Sequence, residues 1–587
     1  METDEMPWIA SGYGFDITAE YFQTTFSIFS DLMARPLMSY NHRGPDEGGN
    51  DVLPDLAASD PVVSEDGLQY TFTLRENVMW QPPLDRPVTS DDVRFAFERL
   101  ATAKVSADVG SYSFYYTPYV EGMGEFEAGD AEEISGIETP DDQTITFTLK
   151  EPVGHFLFAL AMPAAAPIPR EVGECFLTRP YSYGPFVMSS SAYMIEGSDD
   201  LDLSECDNLK GRNAPSGFDF ENHLFLDRNP NYDPEVDNLA IRSALPDRFE
   251  LRINTNSEDS YAKLERGELE HIHSDIPPAV LSKYQTNESL TPFLYIEPDD
   301  AVWYLTMTLT EPPFDDVHVR KAVNYILDRE GLIRVIGGAV TGVPAAHIFP
   351  ETVLPIPDYD PYGVNTTPEG NLEAAMEEMA QSKYDTDADG LCDAPICAGP
   401  NGRGLRLVTR TTDPFPKMTP IIQASLEKIG LEIREVAVES FYGVAGIPAN
   451  TVPITAGAGW GKDWADPMTF ILPLFLGDSI AAEGNVALSL VGLTEDRAGE
   501  IGANYPAEGV LSIDDKFDEC FALLGDARTD CWVELDKFLT EEVVPWAPWR
   551  WSTANHIAGP ALTNYAWDSF PSWVSYAHVG VDTGKQV

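Results

Sequence analysis

The chain reads as an α/β protein built from more than one lobe, and three observations predict this. Its 587 residues exceed what one core usually organises. Strictly alternating apolar segments recur in the first quarter of the chain. A strand, helix, strand succession then occupies about 405–438. Hydrophobic residues make up 43% of the chain and aromatics 11%, enough to bury a substantial core, so disorder is excluded as the default.

The alternating segments are Leu68-Gln69-Tyr70-Thr71-Phe72-Thr73-Leu74-Arg75 and Gln143-Thr144-Ile145-Thr146-Phe147-Thr148-Leu149. Both carry apolar residues at period two with β-branched partners, the pattern of half-buried strands. Between them, Thr89-Ser90-Asp91-Asp92 precedes Val93, Phe95, Ala96, Phe97 and Leu100, a capped amphipathic helix start. Further on, Leu405-Arg406-Leu407-Val408 reads as a strand. Thr419-Pro420 reads as an N-cap with proline at the first helical position, followed by Ile422, Leu426 and Ile429, with Gly430 as the stop. Leu431–Ile433 and Val436–Val438 read as the next strand, and a crossover of this length makes the two strands parallel. Asp315-Asp316 caps a helix whose stripe is Val319, Ala322, Val323 and Ile326. Near the end, Phe517, Phe521 and Leu524 form one stripe, Gly525 breaks it, and Trp532, Leu535 and Leu539 resume it, a helical hairpin with Cys520 and Cys531 flanking its turn.

Charge is the outlier. There are 96 acidic residues against 37 basic ones, a net charge of -59. Such a surface repels phosphate backbones and anionic lipid headgroups, which argues against nucleic acid as a partner. The acids are dispersed, as in a solvated acidic skin, not gathered in a tail. The six cysteines fall in three neighbouring sets, Cys175 with Cys206, Cys392 with Cys397, and Cys520 with Cys531. Local pairing suggests disulfides and an oxidising compartment, with buried free thiols as the alternative. Met1-Glu2-Thr3-Asp4-Glu5 is not a secretory start, and a leader or lipid-anchoring segment is expected to have been left out of this sequence. The longest apolar stretch, Phe156 to Pro169, is too short to span a bilayer.

No catalytic constellation is found: there is no H-E-x-x-H, G-x-S-x-G or phosphate-cradling loop. Ser425-Leu426-Glu427-Lys428 matches S-x-x-K by chance, without companion motifs. His271 and His273 lack a third ligand nearby and read as surface histidines. Asp385, Asp387 and Asp389, followed by Gly390 and Asp393, resemble the start of a calcium loop. Ile396 stands where an EF-hand needs its bidentate glutamate, so only a smaller structural calcium site is expected; the ordinary explanation is a solvated acidic turn. Trp460-Gly461-Lys462-Asp463-Trp464-Ala465-Asp466-Pro467 is the most suggestive ligand feature, two indoles bracketing a carboxylate able to hold an ammonium. Tryptophans are more often core or interface residues. Asp466 can cap the helix that begins at Pro467, whereas Asp463 has no such local role.

Several segments together resemble the family 5 solute-binding proteins, the extracellular receptors of peptide and nickel ABC importers. The stretch Tyr70 to Trp80 resembles the family signature, departing at Met79. Pro87 to Phe97, Gly184-Pro185-Phe186, Leu226 to Pro234, Gly267 to Glu270 (with Glu270 where the family has aspartate) and Phe314 to Arg329 continue it, and the resemblance runs from about residue 13 to the C-terminus. It implies a two-lobed periplasmic-binding-protein-like fold of type II, cluster C, with an extra subdomain inserted in lobe one. The implied layout is lobe one at about 1–50, 180–262 and 543–587, the subdomain at 51–179, and lobe two at 263–542. It implies a monomeric, extracytoplasmic receptor, periplasmic or lipid-anchored, that closes on its solute and passes it to ABC permease subunits. No cofactor and no catalytic residue is expected. In peptide-binding members the acid of a W-x-x-D pattern grips the α-ammonium, which here is Asp463 after Trp460; Trp464, Trp303 and Tyr183 are the further ligand candidates. The family also holds receptors for sugars, metal chelates and other amines, so the fold leaves the ligand open, and a surface interaction or chaperone-like module is the alternative of another class.

Overall fold

A computed structural model describes the chain except residues 5, 7, 9–14, 19–22, 103–111, 179–181, 211–213, 275, 524 and 587. The early alternation folds as expected. Gln69–Thr73 pairs antiparallel with Thr144–Thr148, placing Phe72 opposite Ile145, and both are fully buried. Val62–Val63 and Ile137–Asp141 complete a four-stranded antiparallel sheet that lies wholly within 51–179. The helix Ser90–Leu100 beside it is closed by a capping box between Thr89 and Asp92.

The chain divides into two compact units, 1–295 with 555–587, and 296–554. Lobe two as read from sequence, 263–542, therefore starts too early and stops too early. The helices Ser257–Glu265 and Pro278–Thr286 bury Tyr261, Leu264 and Tyr284 against Leu269, Ile272 and Ile557, which keeps 263–295 in the first unit. In the first unit a second, five-stranded sheet runs Glu2–Thr3, Arg248–Ile253, His223–Arg228, Tyr193–Ile195, with Phe218–Asp219 also on His223–Arg228.

The second unit is built on a six-stranded sheet of β1 (Leu294–Met307), β2 (Gly342–Val343), β3 (Leu405–Arg410), β4 (Ile433–Val438), β5 (Ile454–Trp460) and β6 (Trp546–Ile557), in spatial order β2-β6-β1-β5-β3-β4. As the crossover predicts, β3 and β4 are parallel, and β5 is parallel to β3. The two segments read as separate strands, 431–433 and 436–438, form the single strand β4. The connecting helix spans Phe415–Glu427, so it starts before the expected cap and carries Pro420 inside. Pro414 and Pro416 sit at its first turn, where the missing N–H groups cost nothing. Asp316 caps Val317–Ile326 by accepting from the His318 N–H. Val319, Ala322, Val323 and Ile326 pack into the core with Leu407, Ile422, Leu426 and Ile454. The helical hairpin forms as Asp514–Phe521 and Gly525–Phe538; Leu524 lies outside the described residues. Among the described residues, no helix is long and apolar enough to cross a membrane.

The disulfides Cys175–Cys206, Cys392–Cys397 and Cys520–Cys531 are formed as proximity suggested. His271 and His273, read as surface residues, are buried, because the N-terminal strand and the C-terminal segment cover them. His556 joins them around the Trp573 indole, with centroids 4.8 Å from Trp573 for both His273 and His556. Burial holds the His271 imidazole well below its usual pKa and lowers His556 to about 3.

Candidate functional site

The ligand candidates of the second unit are positioned by the antiparallel pair β1 and β5. Val302 lies opposite Trp460 and Trp303 opposite Gly459. Gly459 has a physical reason to lack a side chain: its Cβ would stand 2.8 Å from the Trp303 ring. Gly457 has the same reason, at 2.5 Å from the Phe441 ring. Two aromatic rings thus lie directly on the backbone of β5. Trp303 is half-buried, donates from Nε1 to Ser552 Oγ at 3.1 Å, and has the Arg550 guanidinium 5.4 Å from its ring centroid.

Trp460 is half-buried and donates from Nε1 to the Thr469 carbonyl at 3.1 Å. Lying opposite Val302, it belongs to the other face of the pair from Trp303. Asp463 follows on the connecting loop, half-buried. The neighbouring Lys462 is almost fully buried, with its Nζ 3.0 Å from Asp300 Oδ2. Trp464 is fully buried. Asp466 accepts the Met468 N–H at 2.9 Å, the capping contact expected of it. Its other oxygen pairs with Arg528 at 2.9 Å, a partner the sequence did not reveal. Tyr183 belongs to the first unit, where it is buried beneath the Arg99 guanidinium, 4.6 Å from its ring. Arg99 in turn pairs with buried Asp16 at 2.6 Å.

Arg410, at the end of β3, was missed. Its Nε donates to the Gly457 carbonyl at 2.9 Å, and its guanidinium lies 5.0 Å from the Phe441 ring and 5.7 Å from those of Phe415 and Tyr442. Among the described residues no carboxylate pairs with it. The available signal was a basic residue closing an apolar strand, too common to single out.

The acidic loop brings Asp385, Asp387 and Asp389 oxygens within 4.8 Å of one another. The buried Asp385 carboxylate accepts the N–H groups of Ala388 and Gly390, both at 2.7 Å. Asp389 raises the pKa of Asp387, as one carboxylate does beside another. Asp393 is not part of the group: its carboxylate accepts the N–H and hydroxyl of Thr386, each at 2.8 Å. Among the described residues the other set within ligand distance is Asp31, His42 and Asp568, all buried, with His42 Nδ1 2.6 Å from Asp568 and 3.2 Å from Asp31. These bonds tie residues far apart in sequence within the first unit.

Comparison with known proteins agrees with this architecture. Residues 51–481 match the model of the bacterial extracellular solute-binding proteins, family 5 Middle, and the chain belongs to that family. It is 26% identical over 448 residues to the dipeptide-binding protein of Escherichia coli, covering 73% of this chain and 71% of that protein. It is 28% identical over 468 residues to heme-binding protein A of Haemophilus influenzae, covering 75% of this chain and 72% of that protein. Among solved structures, clavulanic acid biosynthesis oligopeptide binding protein 2 superposes with a TM-score of 0.77 at 25% identity, over 99% of this chain and 94% of that one.

Proposed function

We propose that the chain is the substrate-binding component of an ABC importer, a non-catalytic receptor that captures short peptides outside the cytoplasm and hands them to a membrane permease. The observation that carries this reading is the placement of two opposite charges along β5. Arg410 is anchored at Gly457, and Asp463 lies beyond the far end of the same strand. The run from Gly457 to Trp460 spans roughly 10 Å at the usual rise of a strand. A ligand bearing an ammonium at one end and a carboxylate at the other fits that arrangement. Asp463 takes the ammonium by charge-assisted hydrogen bonds, Arg410 takes the carboxylate, and the Trp303 ring supplies an apolar wall. Three disulfides support an oxidising, extracytoplasmic setting. The dipeptide-binding relative supports the peptide class.

The test is mass spectrometry of solutes released from the purified protein by denaturation, followed by calorimetry of the identified ligand on Asp463→Asn. The variant keeps the shape and removes the charge. It should weaken binding by about 2–5 kcal/mol, the usual loss when one member of a desolvated charge pair is deleted. Release of a neutral solute only, or unchanged affinity for an amine-bearing one, overturns the reading.

A further inference from the structure

Two carboxylates and one imidazole converge in the interior of the first unit, drawn from three places in the chain. Asp31 lies on the helical turn Phe29–Met33, His42 follows the strand Met38–Tyr40, and Asp568 ends the short strand Trp567–Asp568. None of the three side chains has exposed surface. Each carboxylate divides its oxygens in the same way. Asp31 Oδ2 accepts the N–H groups of Tyr576 at 2.7 Å and Ala577 at 3.3 Å, and Asp568 Oδ1 accepts that of Phe570 at 2.9 Å. The other oxygen of each is turned to His42 Nδ1, at 3.2 Å for Asp31 and 2.6 Å for Asp568. Ser30 Oγ also reaches Asp31 Oδ1, at 3.0 Å. Backbone bonds thus fix both carboxylates while one oxygen of each points at a common centre, as outer partners orient the ligands of a metal.

The set is short of positive charge. A buried carboxylate needs a cation or a proton to offset its lost hydration. The neighbouring buried group shows the balanced case: Arg35 and Arg242 meet Asp55 and Asp237, two cations for two anions. Asp31 and Asp568 share one imidazole, and among the described residues no other basic side chain pairs with either. Even a protonated His42 leaves one negative charge over, and its single Nδ1 proton serves two oxygens. A second buried group also lacks a partner. The Tyr40 ring stacks on Phe570 at 4.5 Å, Asp568 acts on it electrostatically, and its buried hydroxyl has no hydrogen-bond partner among the described residues.

We propose that Asp31, His42 and Asp568 bind a divalent transition-metal ion of the zinc type, which staples the C-terminal segment to the N-terminal part of the first unit. The ion takes the place of the Nδ1 proton, which leaves to solvent, and two carboxylates with a neutral imidazole then balance its two charges. One nitrogen and two oxygens suit zinc, manganese or cobalt better than calcium or magnesium, which prefer oxygen alone. Tetrahedral zinc holds such ligands at about 2.0–2.1 Å, which sets ligand atoms about 3.4 Å apart. Asp31 Oδ1 already stands near that separation from His42 Nδ1, and Asp568 Oδ2 reaches it by withdrawing by less than about 1 Å. A three-residue set leaves a fourth position, for which the nearby Tyr40 hydroxyl is a buried oxygen still to be satisfied. The site is independent of the peptide reading. Its consequence is for folding: the first unit is made of two stretches, 1–295 and 555–587, and the ion would join them.

The experiment uses the full chain with its disulfides intact. It is unfolded in urea with chelator, refolded with zinc or without metal, and desalted. Elemental analysis should find one more equivalent of zinc in wild type than in His42→Gln, and zinc-refolded wild type should melt at a higher temperature than the metal-free form. Surface acids and the loop at 385–389 are the same in both proteins, so their zinc cancels in the comparison. Should His42→Gln fail to fold, wild type decides alone: anomalous scattering from crystals of the zinc-refolded protein must peak among Asp31, His42 and Asp568. Equal zinc in the two proteins, or no anomalous peak at these three residues, overturns the inference and leaves a proton as what balances the set. Neither result bears on the peptide reading, which has its own test.

Discussion

Replacing Asp466 by alanine should destabilise the second unit by far more than the loss of a helix cap. Read from sequence, Asp466 caps the helix after Pro467, and its removal costs about 1 kcal/mol. In the folded unit its second oxygen also pairs with Arg528, and both side chains are more than nine-tenths buried. Arg528 is held in place by other contacts: Nη1 donates to the Phe521 carbonyl at 2.8 Å and the guanidinium lies 4.9 Å from the Trp532 ring. It cannot swing out to water without disrupting the helical hairpin that Cys520–Cys531 fastens. Asp466→Ala therefore leaves a buried positive charge without its counter-ion, a loss of about 3–5 kcal/mol. The double variant Asp466→Ala/Arg528→Met removes both charges, fills the space with an apolar chain, and should recover most of that loss. Urea unfolding of wild type, the two single variants and the double variant measures the four midpoints, and hydrogen exchange in 514–538 localises the effect. A single-variant loss of about 1 kcal/mol, or a double variant as unstable as the sum of its parts, would refute the argument.

Two further perturbations follow from buried and clustered charges. Burial pulls the His347 imidazole down, but Asp536, 2.6 Å away, and Glu351 outweigh it and push its pKa up to about 9. Because the folded value lies above the unfolded one, this stabilisation is complete below about pH 6.5 and disappears as pH rises toward 9, on the order of 3 kcal/mol in all. Thermal melts across that window should show the loss in wild type and not in His347→Gln; parallel curves would count against it. For the acidic loop we propose structural calcium on Asp385, Asp387 and Asp389, whose oxygens already lie within reach of one ion. Calcium at a hundredfold excess over its dissociation constant should add about 2.7 kcal/mol, chelator should remove it, and Asp387→Ala should abolish the response; an unchanged melt with and without chelator eliminates the site.

Local patterns were legible in the sequence because their physics is local. The period-two runs around Tyr70–Phe72 and Ile145–Phe147 could bury one face only as strands, and they pair with each other. Thr89 with Asp92 and Asp316 with His318 satisfy helix N–H groups within a few residues, so the caps could be read directly. The three cysteine pairs lie close enough along the chain for proximity to match them. The start of the helix at Phe415 was misread because Thr419-Pro420 imitates a cap, and the sequence alone offers no way to prefer Pro414 and Pro416 over it.

The sequence by itself determined the family, the mixed strand and helix character, the disulfides and the loop carrying Asp463. How deeply each of its aromatic residues is buried was decided only by the tertiary structure, because burial depends on what packs from elsewhere. Trp303 and Trp464 look alike in sequence, yet one lies half-open on Gly459 while the other is enclosed. Tyr183 is enclosed beneath Arg99. The same holds for charges. His271 and His273 read as solvent-facing until His556 and Trp573 pack over them. Arg410 is distinguished by the three aromatic rings that gather around it, and Lys462 by the buried Asp300 it meets across the strand pair. An ion pair, or its absence, is a relation between two segments distant in the chain. Strand register creates it, and no window of sequence contains both partners.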